Sequence, residues 1–196
     1  MANRRCLSLA GTILLLAFEV AAQNDTPLID AVSVRYPETT QSLDHKFFAN
    51  STFRIVSEGK AETGIRLTRG QGGSKEADRS STEVGLRGVY ALDSQHAAAD
   101  FLVTQTGGSS SNDDYLQVFK LEGGHPVVLY QLRFDSDLAG SGTSFDSQTR
   151  ILTIRQTHID PDKCIRCSGK LDVIRLEWVG DKFVVRDQGI EAAPKS

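Results

Sequence analysis

The stretch Tyr115-Leu-Gln-Val-Phe-Lys-Leu-Glu-Gly-Gly-His-Pro-Val-Val-Leu-Tyr-Gln-Leu-Arg-Phe134 contains two runs rich in apolar and aromatic residues, separated by a glycine pair. Such runs are typical of β-strands. Glycine adopts the positive φ angles that a two-residue hairpin turn requires. The sequence therefore predicts a β-hairpin whose turn is Gly123-Gly124.

The same pattern of two strand-like runs joined by a short turn is found near the C-terminus. Ile174, Leu176 and Trp178 alternate with polar residues, Gly180-Asp181 provides a turn, and a second apolar run follows. One more strand is predicted over 151–159, between the two hairpins.

About ten short strands with turn signals between them leave little room for helix, which we expect only as one turn within 94–100. The predicted fold class is all-β, either an antiparallel meander or a sandwich of short strands and hairpins. A propeller-like sheet arrangement is also compatible with the repeated hairpins.

The N-terminus has the pattern of a secretory signal peptide. Arg4 and Arg5 precede a mostly apolar stretch over 7–18, and Val20-Ala21-Ala22 supplies small residues for cleavage after Ala22. Residues 1–22 are the predicted signal peptide, so we expect a secreted or periplasmic protein. Residues 23–196 should form a single β-rich domain with a mobile loop near 70–82 and no membrane span.

Composition narrows the function classes. The chain has 196 residues, of which 39% are hydrophobic and 24% charged, with a formal net charge of −3. These values are typical of one globular domain and not of a disordered chain. A general nucleic-acid binder would be basic, so no nucleic-acid partner is expected.

Cys164 and Cys167 are the two cysteines that remain after the signal peptide and its Cys6 are removed. In an exported chain a single pair favours a disulfide, here one that closes a very short loop between two strands. Such a bridge would mainly fix the shape of that loop, since short loops gain little from cross-linking.

Two other interpretations of the cysteine pair stay open. A redox couple would need a helix N-terminus or nearby cations, and the sequence around the pair predicts neither a helix nor a βαβ unit. A zinc site would take His158 as a third ligand beside Cys164 and Cys167, although a structural zinc site normally has a second closely spaced pair. We therefore predict no metal or other cofactor.

Motifs of common enzymes are missing from the sequence, including the Gly-x-Ser-x-Gly elbow, the His-Glu-x-x-His helix and the phosphate-binding loop. A non-enzymatic binding or structural domain is the favoured prediction, and a thiol-redox or zinc enzyme centred on the cysteine pair is the alternative. A protein or glycan ligand would use a surface that includes Trp178, Asp135 and Asp137. Core packing is the default for Trp178, and solvated loop carboxylates are the default for the acidic pairs 113–114 and 135–137.

The stretch from Asp160 to Val185 contains Asp-x-Asp-x-Cys-x-x-Cys, the strand end Leu176-Glu177-Trp178 and the return Gly180-Asp181-Lys182-Phe183-Val184. It resembles the C-terminal hairpin of uncharacterised secreted bacterial proteins and lipoproteins. The stretch Leu92–Val103 is similar to FG-GAP-type β repeats, but Ser94-Gln95-His96 replaces the acidic calcium-binding spacing. The resemblance implies a bacterial envelope or extracellular location, no known activity and no calcium site.

Overall fold

The computed structural model of the chain describes residues 30–57, 60–61, 64–75, 80–107, 111–159 and 169–194. These residues form an all-β protein with one short helix, in agreement with the predicted fold class. The predicted signal peptide lies outside the described residues. The elements in chain order are β1 (Asp30–Arg35), α1 (His45–Phe48), β2 (Thr52–Phe53), β3 (Val56–Ser57), β4 (Lys60–Ala61), β5 (Ile65–Arg66), β6 (Gln71–Lys75), β7 (Ser81–Ala91), β8 (His96–Thr106), β9 (Ser111–Glu122), β10 (His125–Asp135), β11 (Gly142–Asp146), β12 (Ile151–Thr157), β13 (Lys170–Val179) and β14 (Lys182–Ala192).

The strands form two main antiparallel sheets. The central sheet has six strands in the order β1-β10-β9-β8-β7-β6, so five consecutive strands form a meander and β1 closes its far edge. The second sheet has four strands in the order β11-β12-β13-β14. Two short ladders, β2 with β5 and β3 with β4, lie in the N-terminal part of the chain.

Both predicted hairpins are confirmed. The β9–β10 hairpin places Glu122 opposite His125, and Gly123 and Gly124 adopt φ angles of 56° and 80°. Those angles are strained for residues with a Cβ atom, so the glycine pair allows the tight turn. The β13–β14 hairpin pairs Trp178 with Phe183 across its own two-residue turn.

The central sheet is covered on both faces, which explains why β8 and β9 are buried almost continuously. One face carries residues such as Phe101 and Phe119, which pack against Tyr36, Phe48 and Phe53 from the N-terminal segment. The opposite face packs on the second sheet, with the core residues Ala98, Leu116, Val118, Leu132, Phe134, Leu152, Ile154, Ile174, Leu176 and Trp178. The molecule is therefore a sheet sandwich with an additional N-terminal layer.

The helical turn predicted within 94–100 is wrong. Only a turn over 93–95 precedes β8, which starts at His96. Ala97 and Ala99 are buried opposite Phe119 and Gln117 of β9, so tertiary pairing overrides the helix propensity of the alanines. The observed helix, α1, lies elsewhere and is capped by Asp44, whose carboxylate accepts the Phe47 N–H at 2.8 Å.

The predicted loop near 70–82 contains ordered strand at both ends. Gln71–Lys75 forms β6 at the edge of the central sheet, and Ser81 starts β7. Residues 76–79 lie outside the described part of the chain. A polar, glycine-rich segment can form an edge strand because its ladder needs only backbone groups. Within the described residues, no helix is long and apolar enough to cross a membrane.

Candidate functional site

A groove of about 480 Å³ lies where the ends of the two sheets meet. Its lining comes from β9, β10, β12 and β13 and consists of Asp113, Arg133, Phe134, Asp135, Gln156, Thr157, His158, Ile159 and Asp172. The groove contains three carboxylates but only one arginine and one histidine. We define these nine residues as the groove.

Two side-chain pairs line the walls of the groove. Arg133 Nη2 lies 2.9 Å from Asp113 Oδ2, and its guanidinium is 6.0 Å from the centre of the Tyr115 ring. The hydrogen bond to Asp113 raises the pKa of Arg133. On the opposite wall, His158 Nδ1 lies 2.7 Å from Asp172 Oδ1. Arg133 and Asp113 lie on neighbouring strands, and His158 directly follows β12 beside β13, so the sheets hold both pairs in place.

Asp135 and Asp137, predicted as ligand-surface residues, have different surroundings. Asp135 lines the groove, and its Oδ1 accepts the N–H of Asp137 at 2.9 Å. The carboxylate of Asp137 accepts a hydrogen bond from Asn112 Nδ2 at 3.1 Å. The 59% exposed Ile159 adds an apolar surface beside these acidic residues. The groove therefore combines negative charge with an exposed aliphatic side chain.

Trp178, the third residue predicted for a ligand surface, is only 1% exposed. Its ring packs on Phe183 at a centroid distance of 5.0 Å and on His96 at 5.3 Å, while its Nε1–H donates to Asp93 Oδ2 at 2.8 Å. Trp178 is thus a satisfied core residue and forms no open aromatic platform.

Asp93 connects this tryptophan to the turn before β8. It accepts the N–H groups of Gln95 and His96 and contacts His96 Nδ1 at 2.8 Å. Burial acts to raise the pKa of Asp93, but the hydrogen bonds from Trp178, Gln95 and His96 outweigh burial and hold the value at about 2. The turn between β7 and β8 is therefore locked to β13 by an ionised carboxylate.

Cys164 and Cys167 lie outside the described residues, so their predicted disulfide stays a prediction. His158, the third residue of the zinc alternative, is at the end of the described segment that precedes them. In the part of the chain that the structure describes, no three histidine, cysteine, aspartate or glutamate side chains are close enough to hold a metal ion.

A hollow of about 560 Å³ beside α1 is larger than the groove. It is lined by polar side chains of the N-terminal segment, among them Glu38, Ser42 and Asp44. Glu38 forms an ion pair with Arg54, and Asp44 caps α1 while also accepting the Ser42 hydroxyl. Glu38 and Asp44 thus both serve the local structure, whereas Asp135 of the groove forms no ion pair in the described part of the chain, so we favour the groove as the candidate binding site.

The sequence analysis missed a buried acidic cluster between the two sheets. Asp114 of β9 is fully buried, and its Oδ2 lies 2.8 Å from Arg87 Nη1 of β7. Asp100 of β8 is 1% exposed and accepts a hydrogen bond from the Thr143 hydroxyl of β11. Tyr90 OH lies 2.9 Å from the same hydroxyl. We call these five residues the acid cluster.

The acid cluster buries carboxylate oxygens that lack hydrogen-bond partners. Within the described structure, Oδ1 of Asp100 and Oδ1 of Asp114 are buried without a hydrogen-bond partner. Burial raises the pKa of Asp100 to about 6, and burial together with the charge of Asp100 raises the pKa of Asp114 to about 7. Arg87 acts in the opposite direction on both groups. The two carboxylates therefore hold protons at pH values where exposed aspartates are ionised.

Period-two alternation separates Asp113 from Asp114. The Asp113 side chain lines the groove, whereas Asp114 faces the second sheet with Leu116 and Val118. The expectation that both are solvated loop carboxylates is wrong, because β9 already begins at Ser111. Extending the alternation of Leu116 and Val118 backwards by two residues is the sequence signal that could have placed Asp114 on the face toward the second sheet.

Comparison with protein-family models, with curated proteins and with solved structures finds no match to this chain.

Proposed function

We propose that the protein is an exported, non-enzymatic β domain that binds a partner protein through the groove. The observation that carries the proposal is the clustering of Asp113, Asp135 and Asp172 around one concavity with the exposed Ile159. Arg133 and His158 face two of those carboxylates, which leaves Asp135 as the groove carboxylate without an ion pair in the described part of the chain.

The chemistry of the groove favours a lysine or arginine side chain of the partner. Such a side chain has an aliphatic stem and a cationic head, and it can cover an apolar surface while its charge meets a carboxylate. Ile159 suits the stem, and Asp135 suits the head. The groove volume lies within the range of ordinary ligand sites, about 300–1,000 Å³.

Isothermal titration and amide NMR would test this proposal. The probe is a short acetylated peptide in which threonine and lysine alternate, and the reference is its glutamate analogue. We expect shifts at 133–135 and 156–159 with the lysine peptide alone. Asp135→Asn should weaken binding at least about fivefold, equal to about 1 kcal/mol.

Asp181→Asn is the matched control, because Asp181 is an exposed turn residue outside the groove lining. Equal binding of both peptides, or equal loss in both variants, would contradict the proposal. Binding of an amino-sugar oligomer in place of the peptide would reassign the groove to a glycan.

A thiol or zinc enzyme remains the second candidate, favoured by the contact between His158 Nδ1 and Asp172 Oδ1. Zinc-binding histidines commonly donate one ring N–H to a carboxylate and coordinate the metal through the other nitrogen. Zinc analysis and thiol titration of the purified protein separate the candidates. A blocked, metal-free Cys164 and Cys167 supports the binding domain, whereas stoichiometric zinc that is lost in His158→Ala supports the alternative.

A further inference from the structure

Strand β14 forms a long open edge of the second sheet. It has eleven residues and pairs with β13 on one side, and no other described strand pairs with it. Among the described residues, four large apolar side chains are exposed, and three of them belong to the β13–β14 hairpin: Val179, Val185 and Ile190. An unpaired edge with exposed apolar residues is a template for strand addition.

The hydrogen bonds of β13 show which backbone groups of β14 face outward. The Trp178 N–H donates to Arg150 O, and Lys170 O accepts the His158 N–H, so even-numbered residues of β13 bond toward β12. Odd-numbered residues therefore bond toward β14. With the observed pairing, five β14 residues have outward N–H and C=O groups: Ala192 at the end of the strand and four before it, Phe183, Val185, Gln188 and Ile190.

A bulge places those same four residues on one face. Val185 lies opposite Leu176 but Asp187 lies opposite Arg175, so Arg186 is the extra residue. Phe183 lies opposite Trp178, and Ile190 lies opposite Asp172. Hence side chains 183, 185, 188 and 190 share the inner face of the sheet, while Lys182, Asp187 and Glu191 share the outer face.

We propose that β14 pairs antiparallel with β14 of a second copy, around a two-fold axis that passes between Arg186 and Asp187. In this register Phe183 faces Ile190 of the partner subunit, and Val185 faces Gln188 of the partner subunit. Both pairs join residues with outward backbone groups, so each pair exchanges two backbone hydrogen bonds.

The outer face of the same register is complementary in charge. Lys182 faces Glu191 of the partner subunit, and Arg186 faces Asp187 of the partner subunit. Within the chain Asp187 and Glu191 already pair with Arg175, and Arg186 pairs with Glu177, so the contacts between subunits would extend existing ion pairs. The two-fold axis repeats both contacts, as in any isologous interface. Without the bulge, this register would place Phe183 and its partner isoleucine on opposite faces, because a regular strand alternates with period two. The bulge thus permits the complementary register.

This interface goes beyond the proposed function and does not involve the groove lining. Each cross-strand pair contributes little to the free energy of association, and a single pair of edge strands buries little area. We therefore expect a weak dimer with a dissociation constant of about 10–100 μM. Two copies of the four-stranded sheet would then form one continuous sheet.

Sedimentation velocity of the purified exported protein over a concentration series is the first test. A concentration-dependent monomer–dimer equilibrium supports the proposal. A monomer at all concentrations up to about 1 mM overturns it, since that corresponds to less than about 4 kcal/mol of association.

A pair of charge reversals tests the register. Lys182→Glu alone and Glu191→Lys alone should each lose dimerisation at least about tenfold, because each homodimer contains two like-charge contacts. An equimolar mixture should form a heterodimer, in which both contacts join opposite charges. Failure of the mixture to associate more than either variant alone overturns the proposed register.

Ile190→Pro tests the backbone pairing. Proline is accepted on an edge strand where the N–H faces solvent, so the fold should survive while one outward donor is lost. We expect at least about tenfold weaker dimerisation, and a smaller loss for the control Ile190→Ala, which keeps the N–H. Circular dichroism verifies folding. A folded Ile190→Pro variant that dimerises like the natural chain would overturn the proposal, and the charge reversals decide the case if the proline variant does not fold.

Discussion

The two faces of the central sheet bury polar groups in contrasting ways. On the face toward the N-terminal layer, Gln117 donates to Arg54 O at 2.6 Å and to Gln131 Oε1 at 2.7 Å. Gln131 donates to Val56 O at 2.8 Å and accepts the Val56 N–H at 3.0 Å. We call Tyr36, Arg54, Val56, Gln117 and Gln131 the amide network. On the face toward the second sheet lies the acid cluster.

The amide network and the acid cluster differ in how many of their buried donors and acceptors form hydrogen bonds. In the amide network Tyr36 OH lies 3.2 Å from Gln117 Oε1, so both amides use their donors and acceptors. In the acid cluster two carboxylate oxygens have no hydrogen-bond partner among the described residues. Neutral, satisfied amides stabilise at any pH, whereas buried carboxylates make stability depend on protonation. We therefore expect stability to depend on hydrogen-bonding side chains at the face with the amide network and on pH at the face with the acid cluster.

Gln131→Leu should give the largest effect. It removes both hydrogen bonds of Val56 and one from Gln117, leaving buried donors and acceptors unpaired. We expect a loss of about 3 kcal/mol in the free energy of unfolding, measured by urea denaturation. Gln105→Leu, at an exposed position of β8, should change stability by less than about 0.5 kcal/mol. Equal effects of the two variants would contradict the structural role of the amide network.

The acid cluster should make the protein more stable at pH 5 than at pH 8. The folded pKa values of Asp100 and Asp114, about 6 and about 7, exceed those of unfolded aspartate. The folded chain then binds more protons between pH 4 and pH 7, so this contribution is complete below the unfolded pKa of about 4 and is lost as pH rises through the folded values. We expect urea denaturation to give a higher free energy of unfolding at pH 5 than at pH 8.

Replacing both carboxylates, Asp100→Asn with Asp114→Asn, should remove that pH dependence. The matched control is Asp181→Asn, since Asp181 is an exposed turn residue and is not among the groups that shift the pKa of Asp100 or Asp114. A slope that persists in the double variant, or that disappears in the control, would assign the pH dependence to other groups.

Tyr36→Phe should have the smallest effect. It removes the hydroxyl that satisfies Gln117 Oε1 and leaves the packing of the ring intact. We expect a loss of about 1 kcal/mol in thermal or urea unfolding. Burial raises the pKa of Tyr36 despite the nearby Arg54, so the loss should be equal at pH 6 and pH 9. A loss that grows with pH would show that the two faces do not differ as proposed.

Local sequence patterns were enough to predict the strands that pair with the next strand along the chain. Gly123-Gly124 and Gly180-Asp181 mark hairpins whose turn chemistry and period-two alternation are both local. For the alanine run 97–99 the sequence predicts a helical turn where the structure has strand β8, because the burial of this run depends on β9 and on two covering layers. Local propensity carries no information about those layers.

The candidate site was only partly predictable for the same reason. His158 and Asp135 were singled out by motif and composition, and both line the groove. Arg133 shares β10 with Asp135, but Asp113 and Asp172 come from other strands, and no spacing in the sequence indicates that the sheet ends bring the two aspartates to the groove. For Trp178 the predicted ligand surface is wrong and the default of core packing is right, since an alternating aromatic residue usually faces a core.

The sequence by itself determined the all-β class, the two glycine-turn hairpins and the strand that lies between them, because turn chemistry and side-chain alternation act over a few residues. Only the tertiary structure decided that the central sheet is covered on both faces, that Asp113 and Asp114 have opposite surroundings, and that residues at the ends of both sheets line one groove. Burial and electrostatics depend on distances between residues far apart in the chain, and those distances are set by how the sheets stack.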